Sequence, residues 1–346
     1  MRKGKLILSM ILLFCLMPAL AQEADSLSVA GPEMASVAAK PQRTFWQKVE
    51  DWGIVHFFSD YDSTYFDFPA KKWSLKLTTN LAGAAISIKG KGADEGKVFR
   101  SWLSSDSKIT HTLTLGYKSY AISYTFFPYT TKSHDSRFSF TMYGNPICFD
   151  IAYNKIHSFA GYSTDSAGER FDIPYEWASM DILNINAFYV FNHKHYSFPS
   201  SVDQTYIQKK NSGSAIAGIT YTRNQTDVPY LGVGDTSLSV NAKLIALGGG
   251  YGYTYVPGEN WQMMLMLMPK LVFYDSSSLT HGHYNISHTF TKPQFMFTGH
   301  FAVVHWFSGS FVALTASADG YRVGNISGLR LFQYQWQARL HFGVQF

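Results

Sequence analysis

The run from Arg330 to Phe346 alternates without a break: from Phe332 onward every even position is apolar or aromatic and every odd one is polar or glycine. A two-residue period is that of a β-strand with one greasy and one wet face. In a soluble sheet the greasy face needs a protein layer over it. This run is also long enough to cross a membrane, for which about 9–11 tilted residues suffice. Read that way, Phe332, Tyr334, Trp336, Ala338, Leu340, Phe342, Val344 and Phe346 face lipid, and Gln333, Gln335, Gln337, Arg339, His341 and Gln345 face a lumen. The strand ends on Phe342, Val344 and Phe346, which we take as the assembly signal for the barrel-assembly machinery.

The start of the chain fits export. Arg2, Lys3 and Lys5 precede an apolar run to Leu20, and Ala19, Leu20, Ala21 form a small-x-small cleavage site, so residues 1–21 read as a signal peptide. Cys15 lies inside that run, which leaves Cys148 alone and excludes an internal disulfide. Removing three basic residues lowers the formal charge from +5 to +5 − 3 = +2, so nucleic acid is not an expected partner.

Aromatic residues make up 16% of the chain and charged residues only 15%, a bias toward rings that favour membrane interfaces. No stretch after the signal approaches about 18 consecutive apolar residues, so a helical span is excluded. A barrel escapes that requirement, because only alternate residues meet lipid and closure pairs every backbone group.

Residues 22–72 read as a periplasmic leader. Thr44 and Gln47 form a capping box, Gly53 supplies a stop, and Phe45, Val49 and Trp52 share a face, which gives a short amphipathic helix or a disordered segment with three aromatics. Residues 73–346 form the barrel. Its strands begin with Trp73 to Leu81, followed by a polar segment through Lys89, Lys91, Asp94 and Glu95. Two hairpins come next: Leu113 to Phe126 turning near Lys118 and Ser119, and Phe138 to Tyr153 turning at Gly144, Asn145 and Pro146. His157 to Met180 reads as a loop, and Leu183 to Phe191 as a strand. Further strands are Ala215–Tyr221, Val240–Tyr255, Trp261–Leu271, Phe295–Trp306, Phe311–Ser317 and the terminal one. An even strand number, with short turns inside and long loops outside, makes Lys194 to Gly213 a periplasmic excursion. Arg223 to Thr236 and Tyr274 to Thr291 then become outer loops. The expected fold is an all-β antiparallel transmembrane barrel of about twelve strands.

Four segments resemble an uncharacterised outer-membrane barrel family of Bacteroidetes-type bacteria, the domain of unknown function 4421. They are Asp62, Ser63, Thr64, Tyr65; Tyr189, Val190, Phe191, Asn192 leading to Tyr196, Ser197, Phe198, Pro199; Gln208 to Ser214; and Gly249, Gly250, Tyr251, Gly252, Tyr253. The resemblance implies a fold and a location and supplies no catalytic residue. It suggests a shared turn or rim contact at Gln208 to Ser214.

Little chemistry is written in the motifs. His281, His283 and His288 have metal-like spacing, but only Asp275 could complete a set, and a solvated histidine cluster is the plainer reading. No nucleophile elbow, phosphate loop or His-Glu-x-x-His motif occurs. No catalytic residue, metal ligand or cofactor is assigned. Gly248, Gly250 and Gly252 on the lumen side allow either strand curvature or a ligand cleft. The lumen-lining candidates are Lys76, Asp150, Gln333, Gln335, Gln337, Arg339 and His341. They suit a narrow aqueous passage or a hydrogen-bonded filling, and about twelve strands leaves both open. The expected partners are outer-membrane lipids, the assembly machinery and a small solute. The functional readings are a passage or structural barrel, an outer-rim enzyme acting on lipid or peptide, and a soluble exported binder.

Overall fold

The alternation seen in the terminal strand is carried around a closed ring. The structure, a computed structural model, describes residues 61–68, 71–91, 98–105, 108–117, 120–126, 135–164, 167–228, 237–281, 284–289, 294–326 and 329–346. The signal peptide and the Thr44 to Gly53 helix lie outside the described residues.

The strands are β1 (Phe66–Asp67), β2 (Trp73–Lys91), β3 (Val98–Ser105), β4 (Lys108–Tyr117), β5 (Tyr120–Phe126), β6 (Ser136–Tyr143), β7 (Ile147–Thr164) and β8 (Arg170–Val190). A five-residue helix α1 (Phe198–Val202) and β9 (Ile207–Gln208) follow. The remaining strands are β10 (Ser212–Val228), β11 (Leu238–Gly258), β12 (Trp261–His281), β13 (Tyr284–Thr289), β14 (Gln294–Phe307), β15 (Ser310–Ile326) and β16 (Leu329–Gln345). Hydrogen-bonded neighbours run β2, β4, β5, β6, β7, β8, β10, β11, β12, β14, β15, β16 and back to β2, a closed antiparallel ring of twelve. Closure leaves the ring itself without a first and a last strand, while β13 pairs with β12 alone and β1 with β9 in a separate two-stranded sheet. Trp73 and Phe346 exchange both backbone hydrogen bonds at 3.1 and 2.9 Å, and they mark what we call the proximal end.

The wall changes composition toward the distal end. The proximal part of β2 pairs with β4, whereas Ala85 to Lys91 pairs with β3. β3 in turn pairs directly with Phe159 to Thr164 of β7, so it replaces the three strands β4, β5 and β6 at that level.

Long strands reverse their chemistry along their length; β2, β10 and β11 do so with parity kept, whereas β12 changes parity at a bulge near Phe273 and β7 at one between Ile156 and Gly161. On β11 the outward residues are Tyr255, Tyr253, Tyr251 and Leu247 in the proximal half, then Lys243, Asn241 and Ser239 beyond it. The inward residues run the other way: glycine and threonine below, then Ala246, Leu244, Ala242, Val240 and Leu238 above, all 3% exposed or less. The distal inward faces meet as one apolar core that includes Ile86, Ile88, Leu103, Phe159, Met180 and Ile182. A strand of 21 residues is about twice what a bilayer requires, and the surplus folds as a water-facing barrel with an ordinary interior.

This reversal corrects the sequence reading at four places. The loop expected from His157 to Met180 is mostly strand, because β7 runs to Thr164 and β8 starts at Arg170. The outer loops expected at Arg223 to Thr236 and Tyr274 to Thr291 begin beyond Val228 and His281, and Tyr284 to Thr289 adds β13. The polar segment after Leu81 is the distal half of β2, followed by β3. Along the distal half of β2 a polar outward face over an apolar inward one resembled a loop, and along distal β10 and β12 the inward residues Asn224, Thr226, Asp275 and Ser277 are themselves polar, so no continuous greasy stripe appears.

The proximal half carries the lipid-type surface. Outward Trp261, Met263, Leu265, Leu267, Leu271 and Phe273 are 41–60% exposed on β12 alone. From Trp261 to Phe273 the strand rises roughly 30 Å at about 3.4 Å per residue and a tilt of about 40°. Aromatic residues stand at both margins of the band: Tyr255, Trp261, Phe307 and Phe346 proximally, and Tyr153, Tyr274, Phe295 and Phe332 distally. On β16 and at the residue after it, Phe332, Leu340, Phe342 and Phe346 are 41–58% exposed, while Trp336 lies against Gly83 of β2.

Candidate functional site

The excursion expected at the periplasmic rim is inside the barrel mouth. Tyr196, Ser197, Phe198, Ser200, Ser201, Gln204, Tyr206 and Gln208 are all 2% exposed or less, which makes residues 192–211 a plug and corrects the rim placement of Lys194 to Gly213. Ser197 caps α1 by accepting from the Ser200 amide at 3.3 Å, and Pro199 suits the first turn of a helix. The Phe198 ring then packs edge-on to His300 of β14 at 6.0 Å and tilts against Phe188 of β8 at 6.2 Å. Met264, Met266 and Met268 of β12 line the wall it faces.

Polar contacts fix the plug at both faces. Lys76 of β2 donates to the Asp203 carboxylate at 2.7 Å and to the Asp203 carbonyl at 3.3 Å. The Gln208 side chain accepts from the Ser197 amide at 2.9 Å and donates toward the carbonyls of His195, Lys210 and Tyr65. β1 pairs with β9, and the Asp62 amide donates to the Lys194 carbonyl at 2.9 Å, so the segment before the barrel is laced to the plug from below. The Thr64 amide, donating to Asp62 at 2.8 Å, holds that carboxyl below its ordinary range.

The glycine run of β11 has three separate causes. A methyl group at Gly248 would strike the Lys270 stem, one at Gly250 the β12 backbone at Leu267, and one at Gly252 the Tyr196 hydroxyl of the plug. Of the two alternatives drawn from the sequence, Gly250 answers to close strand approach and Gly252 to an internal occupant, which is a side chain of the protein itself.

Between plug and distal core lies a polar chamber of about 270 Å³. Lys76, Asp150, Gln335, Gln337, Arg339 and His341 all border it. Gln333 sits higher, fully buried, donating to Thr226 at 2.9 Å and accepting from Asn224, at the base of the apolar core. His341 is held between Thr78 and Thr315, each at 2.8 Å. Lys270, lying across Gly248, donates to Thr220 at 2.9 Å; Thr220 donates to Asn186, and Asn186 to Asp150, each at 2.8 Å. Opposite, Arg137 donates to Gln337 at 2.5 Å and Gln337 to Ser317 at 2.8 Å, while Thr298 donates to Asp319 at 2.7 Å.

Arg137, Lys270, Asp319 and Asp203 were not singled out from sequence. Inward parity on β6, β12 and β15 could have found the first three. Asp203 had no such signal, because the plug has no strand period. Among the described residues no group of three or more His, Cys, Asp or Glu could hold a metal ion, and the side chains of His281, His283 and His288 lie outside the described set.

The four segments that carried the family resemblance meet here, in the plug and its seat, and residues 60–346 match the family described as Domain of unknown function (DUF4421). The chain belongs to that family. In this DUF4421 barrel, Asp62 and Tyr65 bind the plug from below, Tyr196 and Gln208 lie within it, Asn192 donates to the Gly213 carbonyl at 2.9 Å, and Gly252 makes room for Tyr196.

Solved structures with a similar course of the chain include the outer membrane protease OmpT from Escherichia coli: 9% identity, 81% of this chain and 98% of that one, TM-score 0.41. The translocator domain of the autotransporter NalP from Neisseria meningitidis gives 12% identity, 86% and 96% coverage, and a TM-score of 0.32. The toluene transporter TodX from P. putida gives 9% identity, 80% and 91% coverage, and a TM-score of 0.23. No curated protein sequence matches the chain significantly. The barrel assignment for this DUF4421 protein rests on its own ring of strand pairings.

The Gln208 contacts yield a direct expectation. Gln208→Ala strands the Ser197 amide and the His195 and Lys210 carbonyls in the mouth, while the Tyr65 carbonyl keeps the Lys209 amide, and is expected to loosen the plug by about 1–3 kcal/mol. Hydrogen exchange should accelerate at the plug amides and leave those of β11 and β12 unchanged.

Proposed function

We propose that this protein is an integral outer-membrane barrel that holds its lumen shut, a structural barrel in preference to an open passage for small solutes. The observation that carries the reading is the double seal: an apolar core fills the distal lumen and the plug fills the proximal mouth, with the polar chamber between them. Ile86, Ile88, Leu103, Phe159 and Leu244 are wholly buried in that core, and a dry interior of this kind is no path for water or ions.

The outward girdle and its two aromatic margins support insertion in a bilayer, with the proximal end in the periplasm and the distal barrel standing outside the cell. Export through the residue 1–21 signal and recognition of Phe342, Val344 and Phe346 by the assembly machinery belong to the same reading, as do outer-membrane lipids as the partner of the girdle.

Planar-bilayer recording on the refolded chain tests it. The expected result is no steady conductance. A variant with residues 197–204 replaced by a glycine-serine linker should stay silent too, because the distal core persists. Discrete openings in the unaltered chain would support the passage, and hydrolysis of lipid or peptide by the same preparation would support the enzyme; either overturns this reading.

A further inference from the structure

The chamber holds charges that make no direct ion pair. Besides the Lys76–Asp203 pair, Arg137, Lys155, Lys270 and Arg339 border it as cations and Asp135, Asp150 and Asp319 as acids, and none of Arg137, Lys270, Arg339, Asp150 and Asp319 forms an ion pair among the described residues. Each of four makes hydrogen bonds to neutral groups only. Arg339 makes none among the described residues. It sits two residues from Gln337 on the inward face of β16, and Gln337 is the acceptor for Arg137, so both guanidiniums address one side of the cavity and repel each other. Charge facing a cavity without a direct partner is costly, and two guanidiniums on one side of it are costlier. The neighbouring inward positions of β16, Gln337 and His341, are satisfied by Ser317, Thr78 and Thr315, whereas Arg339 has no such bond among the described residues.

We propose that the chamber is a binding site for a small molecule bearing an oxyanion, carboxylate or phosphate, held by Arg137 and Arg339. The planar fork of a guanidinium matches both groups, and two forks on one side of an enclosed cavity select for concentrated negative charge. Asp150 and Asp319 border the same space and favour a solute that also carries an amine. This site rests on the closed-barrel reading only in that the seals keep its occupant enclosed.

The test is to refold the full chain in detergent with phosphate, acetate or chloride at equal ionic strength. The anion is then present while the barrel closes, and the seals cannot exclude it. Phosphate or acetate is expected to raise the melting temperature over chloride, increasingly with concentration. A response to phosphate alone or to acetate alone supports the site and names the head group. Arg339→Gln should lower the affinity by about tenfold or more, and in chloride it should melt no lower than the parent, because the repulsion with Arg137 is gone. Arg339→Lys should keep part of the response. Equal melting in all three anions overturns the proposal. So does an Arg339→Gln variant that fails to fold, or that melts lower in chloride with its anion response intact, since the guanidinium would then be a structural contact. Failure here shows in melting, whereas failure of the closed-barrel reading shows in conductance.

Discussion

Leu340→Arg is expected to destabilise the folded barrel by about 2–4 kcal/mol, read from urea midpoints in lipid vesicles. Leu340 is 54% exposed on the outward face of β16, between the Phe332 and Phe346 margins, and pairs with Leu314 on β15 and Thr79 on β2. An arginine there has no water to reach without thinning the bilayer. Gln225→Arg is also outward, on β10, but lies beside the Asp181 and Asn241 level in the distal half and should change stability by under about 0.5 kcal/mol. Inward positions should show the reverse. Gln335→Arg borders the chamber directly across from Asp319, which can pair with it, and should be tolerated, whereas Leu244→Ala, wholly buried in the distal core, should cost about 2–5 kcal/mol. Equal costs for the two outward arginines would contradict the division of each strand into lipid-facing and water-facing halves.

Lys76→Met should have a comparably large effect by another route. The Lys76 and Asp203 side chains are 8% and 11% exposed and meet at 2.7 Å, joining the wall to the plug. Removing one member of a buried pair leaves the other charge uncompensated, at a cost of about 3–5 kcal/mol. The double substitution Lys76→Met with Asp203→Leu removes both charges and should recover most of that loss. The plug, and not the ring, should register the change: protease cleavage within residues 192–211 should accelerate in the single variant and return toward the parent rate in the double one. If the double variant is as susceptible as the single, the ion pair is not what seats the plug.

What the sequence disclosed follows the period of the strand. The terminal run named its own inward and outward residues, and Lys76, Asp150, Arg339 and His341 were found by parity alone, because alternation is local and needs no knowledge of neighbours. Residues 157–180 were misread because Trp177 and Tyr175 face outward beside Glu176 and Asp172, a mixed surface that no lipid-facing rule predicts. The plug was illegible for a different reason. Nothing between Asn192 and Asn211 repeats, and its burial depends on space left by Gly252 and on Lys76, more than a hundred residues away from Asp203. The family resemblance had marked that segment and the glycine run without revealing that one fills the other.

The reversal of the greasy face midway along the long strands can be measured on β11. Spin labels at positions 253, 251, 247, 244, 243, 242, 241 and 239, placed singly in a Cys148→Ser background and reconstituted in lipid, report access by oxygen and by a nickel chelate. Labels at Tyr253, Tyr251 and Leu247 should be open to oxygen and closed to nickel, and those at Lys243, Asn241 and Ser239 the opposite, with Leu244 and Ala242 closed to both. Uniform nickel access along the odd positions, or nickel reaching Leu244, would contradict a barrel whose near half is clad in lipid and whose far half is filled by its own core.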